Sequence, residues 1–316
     1  MSDLLKSIDA RTRLAGTNKL EILLFSLGED SVSGRREIFG INVFKVREVI
    51  RRGEITAAPE MPDCVEGMVS LRGTLVPVVD LGKYVGIKDE TPRNVMIITE
   101  YNGHTQGFLV EAVDTILRLD WSQMRVPPEM LTANLGGLVT AVTELPGNKL
   151  VMMLDVEKVL AETSHYAEGE EFLFKGIEPV ENETRMVVYA DDSSIARKQI
   201  ERTLQALNVP GRGAVNGHMA WQMLQQIAQQ CQAAGVPVTE RVAAILTDVE
   251  MPEMDGYMLT KSVKADERFN GVPVLMHSSL SGMSNQQLGK SVGVDEYIPK
   301  FEPQRLSATL RRLMGR

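Results

Sequence analysis

The chain has 316 residues, room for two domains, and its 43% hydrophobic and 24% charged residues exclude a disordered chain. The formal charge is 34 − 42 = −8 and aromatics make up only 5%, which disfavours nucleic-acid partners, base-stacking platforms and an anionic-membrane anchor. No apolar run approaches the ~20 residues of a bilayer span, Asp3 and Asp9 stand where a secretory core would begin, and Cys64 and Cys231 lie apart from any Cys/His cluster, as expected of a cytosolic protein without disulfides or zinc.

Ahead of the first strand, Leu4, Leu5, Ile8 and the stretch from Arg11 to Leu14 have helical spacing, which predicts a helical segment over 1–17. Short β-like runs follow at Leu20–Leu27, Ile38–Val49, Gly67–Leu71, Leu75–Asp80, Asn94–Thr99, Gly107–Val113, Gly137–Thr143 and Lys149–Leu154. Many short strands with turn signals between them predict barrels or a sandwich, closed by a helix at Val156–Glu162. Pro77 cannot donate a ladder hydrogen bond, so its strand is expected at an edge or a bulge. Arg72 sits beside Gly73 with no acid nearby in sequence, exposed and ready for a partner's carboxylate.

Between Glu162 and Thr184 seven acids face one base, Lys175, and no helical period appears, so residues 163–184 read as an acidic linker. The linker separates a first domain, 18–162, from a second, 185–316. In the second the rhythm changes to strands alternating with helices. Strands are predicted at Met186–Ala190, Arg212–Val215, Val242–Thr247, Val272–His277 and Tyr297-Ile298. Helices are predicted at Ser194–Leu207, Met219–Ala234, Gly256–Asp266, Asn285–Val292 and Pro303–Leu313. That alternation implies right-handed crossovers and a parallel sheet.

Function in such a sheet gathers at the carboxyl ends of the strands. Those ends carry Asp191 and Asp192, then Asp248, then Ser278, and the last strand runs to Lys300. Helix capping accounts for Ser193 and Ser194 but not for three acids on two strands with a lysine on the same rim. Packed carboxylates repel unless a cation neutralises them, and hard oxygen ligands in a small site favour Mg²⁺ beside a phosphate.

The runs Val187-Val188-Tyr189-Ala190-Asp191-Asp192-Ser193, Asp248-Val249-Glu250-Met251-Pro252-Glu253-Met254-Asp255-Gly256 and Tyr297-Ile298-Pro299-Lys300 resemble a response-regulator receiver domain. The resemblance implies Asp248 as phospho-acceptor from a kinase phosphohistidine, with Lys300 and Ser278 on the phosphoryl oxygens. It also implies Mg²⁺ held by Asp192, Asp248 and the Glu250 carbonyl, with Asp191 acting mainly through water, and Tyr297 as a switch aromatic. The sequence departs from the pattern at Phe301, where receivers usually have proline, and His277 reads as a packed strand residue.

In the first domain, Ser70-Leu71-Arg72-Gly73, with Phe39-Gly40-Ile41 and Val46-Arg47-Glu48-Val49-Ile50, resembles the CheW-like coupling module. The opening from Leu14 to Phe25 resembles the CheV family, coupling–receiver fusions of bacterial chemotaxis. The implied fold is an all-β double SH3-like barrel followed by an α/β flavodoxin-like receiver with a five-stranded parallel sheet. The implied partners are the histidine kinase CheA and methyl-accepting chemoreceptors, met through Arg72, Val46 and Glu48. No nucleic acid or membrane insertion is expected, and the place is the cytoplasm, at membrane-associated receptor arrays. The expected role is that of an adaptor tuned by phosphorylation, not an enzyme. Two alternatives are a phosphate sink for the kinase and a Mg²⁺-dependent phosphatase with an Asp nucleophile.

Overall fold

A computed structural model describes residues 19–57, 59–88, 91–101, 104–128, 130, 136–163, 174–279 and 289–315. The helical segment expected at 1–17, the first half of the helix at 285–292 and the linker's stretch 164–173 lie outside the described residues. The chain divides into two compact units.

The first unit is β-rich and contains two five-stranded mixed sheets. The first sheet has the order β8-β1-β2-β10-β9, from β1 (Lys19–Ser26), β2 (Ile38–Asn42), β8 (Ala112–Asp120), β9 (Val139–Leu145) and β10 (Lys149–Leu154). The second has the order β3-β6-β7-β5-β4, from β3 (Val46–Arg51), β4 (Val65–Leu71), β5 (Thr74–Asp80), β6 (Val95–Tyr101) and β7 (His104–Val110). Two helices follow strands directly, α1 (Leu81–Val85) and α2 (Val156–Thr163).

Alternation along β6 sends its two faces into different cores. Ile97 joins the core shared with Phe25, Phe39 and Ile41 of the first sheet, while Met96 and Ile98 turn the other way onto Val76, Val78 and Leu109. A sheet buried on both faces needs apolar residues at consecutive positions, which is what β6 supplies.

Two predicted runs each divide. Within 38–49, the Asn42 side chain accepts from Phe44 N and caps a 3-10 turn at Val43–Lys45, so β2 and β3 enter different sheets. Past Gly107, the chain leaves β7 at Val110 and resumes as β8, a strand of exposed or half-buried residues whose Val113, Ile116, Leu117 and Leu119 show no strict alternation.

Of the edge or bulge expected at Pro77, the ladder of its strand with β4 does shift register, between Val65 and Gly67, and the edge needs correcting. Its strand β5 is interior, between β7 and β4. Opposite Pro77 stands Met68, whose amide and carbonyl both bond Thr56 at 2.9 Å, so this pair exchanges no hydrogen bond. On the other side, pairing with β7 starts only at Val78, and no donor is required of the proline.

A buried ion pair stands at the end of β5. Arg93 Nε lies 3.2 Å from Asp80 Oδ1, and Nη2 donates to the Leu27 carbonyl at 2.7 Å. Asp80 also caps α1 by accepting from Lys83 N at 2.9 Å.

The second unit is an α/β fold with an all-parallel sheet of order β12-β11-β13-β14-β15. The strands are β11 (Met186–Ala190), β12 (Gly211–Ala214), β13 (Val242–Thr247), β14 (Val274–Ser278) and β15 (Glu296–Pro299). The helices are α3 (Ser194–Leu207), α4 (Gly217–Ala234), α5 (Gly256–Ala265) and α6 (Pro303–Leu313). Every residue of β13 and β14 is buried, as strands covered on both faces must be. Strand β12 is glycine-rich because the Tyr189 ring lies across it, and a Cβ on Gly213 would come within 2.6 Å of that ring.

Residues 174–183 pack on this unit. Val180 is buried with Leu207, Leu310 and Met314, and its amide donates to the Leu207 carbonyl at 2.7 Å. Arg311 Nη1 donates to the Glu178 carbonyl at 2.7 Å, and the Arg202 guanidinium stands 4.6 Å over the Phe174 ring.

Candidate functional site

The strand order changes direction at β11 and β13, so the crevice at their carboxyl ends is the topological switch point. Asp191 and Asp192 follow β11 and Asp248 follows β13. One carboxylate oxygen from each lies within 4.8 Å of the other two, with Asp191 and Asp248 buried and Asp192 half-buried. Lys300, only 1% exposed, places Nζ 2.9 Å from Asp248 Oδ2 and 3.0 Å from Asp191 Oδ2. The ammonium offsets part of the repulsion between two buried carboxylates.

The main chain fixes each member. Asp248 N donates to the Ala190 carbonyl at 2.8 Å, and Asp248 Oδ1 accepts from Val249 N at 2.6 Å. Asp191 Oδ1 accepts from Ser193 N at 2.9 Å, while Ser193 caps α3 through Ala196 N. Lys300 N donates to the Ser278 carbonyl at 3.1 Å, which ties the lysine to the neighbouring strand end. Gly256 closes the loop after Asp248, and a Cβ there would fall 1.9 Å from the Asp248 carbonyl oxygen.

Ser278 is buried at the end of β14, and the side chain of Tyr297 hydrogen-bonds with it. Burial pushes the Tyr297 hydroxyl's pKa well up, against the lowering effect of that bond. Tyr297 itself is half-buried, packed against Val249, Tyr257 and Met276. Glu250 is buried two residues beyond Asp248, and His277 is buried within β14. Phe301 adopts φ +63, a left-handed conformation directly after the lysine.

Arg197 has no place in the sequence motifs, and Asp255 stands in the receiver-like run without a role of its own. Arg197 Nη1 donates to the carbonyls of Asp191 at 2.7 Å and Asp192 at 2.9 Å, holding the turn that carries both acids. Asp255 caps α5 through Met258 N at 2.7 Å, and burial raises its pKa to about 6. The capping pattern Asp-Gly ahead of a helical run was a visible signal for Asp255. Nothing in sequence marks an arginine that binds main-chain carbonyls.

The donor set fits a hard divalent cation. Three carboxylates in reach of one another, partly buried and lacking sulfur or imidazole, are suited to Mg²⁺ rather than zinc or copper.

In the first unit, Glu48 and Arg72 come together: Arg72 Nη2 lies 2.8 Å from Glu48 Oε2, with the arginine side chain 68% exposed. Arg72 occupies φ +52 in the β4–β5 turn. Val46 does not share this surface, because its side chain is buried in the unit's core.

The comparisons with known proteins divide the chain as the fold does. The CheW-like domain matches residues 21–164 and the response regulator receiver domain matches 187–311. Chemotaxis protein CheV3 of Helicobacter pylori is 28% identical over 310 residues, covering 95% of this chain and 97% of that protein. Chemotaxis protein CheW of Klebsiella aerogenes is 30% identical over 48% of this chain and 87% of its own length. Chemotaxis protein CheY1 of Helicobacter pylori is 33% identical over 41% of this chain and 96% of its own. Among the described residues no helix is long and apolar enough to cross a membrane. With a CheW-like domain followed by a receiver domain, and a relative matching along nearly its whole length, the chain is a CheV-like protein.

Proposed function

We propose that this protein couples methyl-accepting chemoreceptors to the histidine kinase CheA, and that phosphorylation of Asp248 tunes the coupling. The observation that carries the reading is Lys300 Nζ shared between Asp191 and Asp248 beside Asp192, an arrangement with nucleophile, charge clamp and cation ligands in one crevice. A carboxylate oxygen of Asp248 attacks the phosphohistidine phosphorus, the P–N bond breaks as the P–O bond forms, and the imidazole leaves with the electron pair. Lys300 and Ser278 meet charge on the phosphoryl oxygens, so positioning and electrostatics carry the catalysis. Asp192, Asp248 and the Glu250 carbonyl would hold Mg²⁺, Asp191 acting mainly through water, and the ion supplies neutralisation of phosphoryl charge.

The 1–17 segment, the coupling domain at 18–162, the linker at 163–184 and the receiver at 185–316 form the working division of the chain. Arg72 and Glu48 supply the coupling domain's contact with kinase or receptor, at the cytoplasmic side of receptor arrays. A phosphoryl group adds about −1.5 to −2 charge to the receiver and acts only through a difference in affinity between its two states.

Radiolabelled phospho-CheA with Mg²⁺ should label the wild type and leave Asp248→Asn unlabelled. Equal labelling of the variant would remove Asp248 from its role. Kinase activity in reconstituted arrays then separates tuning from a phosphate sink. A sink drains phosphoryl groups without changing the rate at which CheA autophosphorylates, whereas tuning changes that rate when Asp248→Asn replaces wild type.

A further inference from the structure

The acidic segment ahead of β11 makes contacts that phosphoryl transfer does not use. Val180 donates its amide to the Leu207 carbonyl, one of the last four carbonyls of α3, which have no partner within the helix. Its side chain is 2% exposed, between Leu207, Leu310 and Met314. Arg311 of α6 binds the Glu178 carbonyl at 2.7 Å, and Glu183, 3% exposed, pairs with Arg185, which also reaches the Met314 carbonyl. Residues 177–183 therefore form a strap over the seam between α3 and α6.

The same α3 begins in the acid pocket. Ser193 caps it, and Arg197, within its first turn, holds the carbonyls of Asp191 and Asp192. The helix has 14 residues, about 21 Å, with no glycine or proline to bend it. One rod thus has its amino end fixed by the cation ligands' backbone and its carboxyl end fixed by the strap.

We propose that the strap is a latch coupled to the pocket through α3: occupation of the pocket by a divalent cation tightens the strap, and release of the strap weakens cation binding. The proposal rests on the reading of the acid cluster as a cation site. Ligation orders the Asp191–Asp192 turn and, through Arg197, the start of α3. An α3 already ordered loses less freedom when the strap docks, so the two events favour each other without any large displacement. Linkage requires the two effects to be equal in size.

The test uses the full chain. Calorimetry gives the Mg²⁺ affinity, and amide hydrogen exchange by mass spectrometry follows peptides spanning 177–183, with β13 as internal control. Saturating Mg²⁺ should slow exchange at 177–183 by about fivefold or more. Arg311→Gln, a surface change, and Val180→Ala should speed exchange there and weaken Mg²⁺ binding, by up to the factor by which Mg²⁺ slows exchange in wild type. Arg197→Gln should abolish the Mg²⁺-dependent protection at 177–183 even at saturation. Unchanged exchange at 177–183 in a wild-type chain that calorimetry shows to be saturated overturns the latch while leaving the cation site intact. A chain that binds no Mg²⁺ overturns the cation site and the latch together.

Discussion

Arg72 and Glu48, which the sequence offers separately to a partner, are each other's partner: their Nη2 and Oε2 stand 2.8 Å apart across the β3 and β4–β5 strands of one unit. An arginine 68% exposed in a left-handed turn contributes little through such a pair, within about 1 kcal/mol. Glycine suits φ +52 better than arginine does. Arg72→Gly should therefore leave the melting temperature level or slightly raised while co-sedimentation with receptors and CheA falls. A drop in both would mean that the residue serves the turn and not the partner.

The Arg93–Asp80 pair should behave in the opposite way. Both side chains are 6% exposed, and Arg93→Ala would leave Asp80 buried without its cation. Loss of one member of a buried pair costs about 3–5 kcal/mol. Differential scanning calorimetry should show the coupling unit's transition fall sharply, with the receiver's transition unmoved. Arg93→Lys should recover only part, because a single ammonium cannot reproduce the two guanidinium nitrogens that bind the Leu27 carbonyl.

Lys300 sets up a comparison that depends on Mg²⁺. Lys300→Met leaves Asp191 and Asp248 facing each other, and in a chelator it should destabilise the receiver by about 3–5 kcal/mol. Added Mg²⁺ should raise the melting temperature more in this variant than in wild type, since the ion replaces the missing charge. Asp248→Asn should cost less, because Lys300 keeps Asp191. Equal Mg²⁺ responses in all three would argue against ion and ammonium sharing one pocket.

Asp255 predicts a pH effect. Its carboxyl titrates at about 6 in the folded receiver against an ordinary 3.8, chiefly from burial. Between about pH 4 and 6 the folded state holds the proton that the unfolded state has lost, so stability falls as pH rises through this window. The full loss is at most about 3 kcal/mol. Asp255→Asn keeps a good cap and removes the titration, so its stability should be flatter from pH 4 to 6. Urea unfolding of the receiver, read from Trp221 emission in a Trp121→Phe background, would measure both slopes.

What the sequence revealed of this molecule depended on where the information sits. The receiver strands were legible because buried parallel strands read as continuous apolar runs, and Asp191, Asp248 and Ser278 mark their ends. The break between β2 and β3 was not, because apolar character continues across Val43 and only the Asn42 cap turns the chain. Strand β8 was hidden because its faces are too exposed to alternate. The Arg72–Glu48 contact was invisible for another reason: 24 residues separate the pair, and their strands, β3 and β4, stand at opposite ends of the sheet order, so only the folded unit brings them together.

The two edges of the receiver sheet carry a further consequence. Strands β12 and β15 are each four residues long, one reading Gly-Arg-Gly-Ala and the other Glu-Tyr-Ile-Pro. A long flat edge with free amides and carbonyls is a template on which a foreign chain can add a strand. Here one edge is glycine-rich with an exposed arginine, and the other begins with a carboxylate and ends with a residue that has no amide hydrogen. Copies of this receiver crowded side by side thus have poor purchase for joining sheets edge to edge, and the fold guards against polymerising through its own backbone.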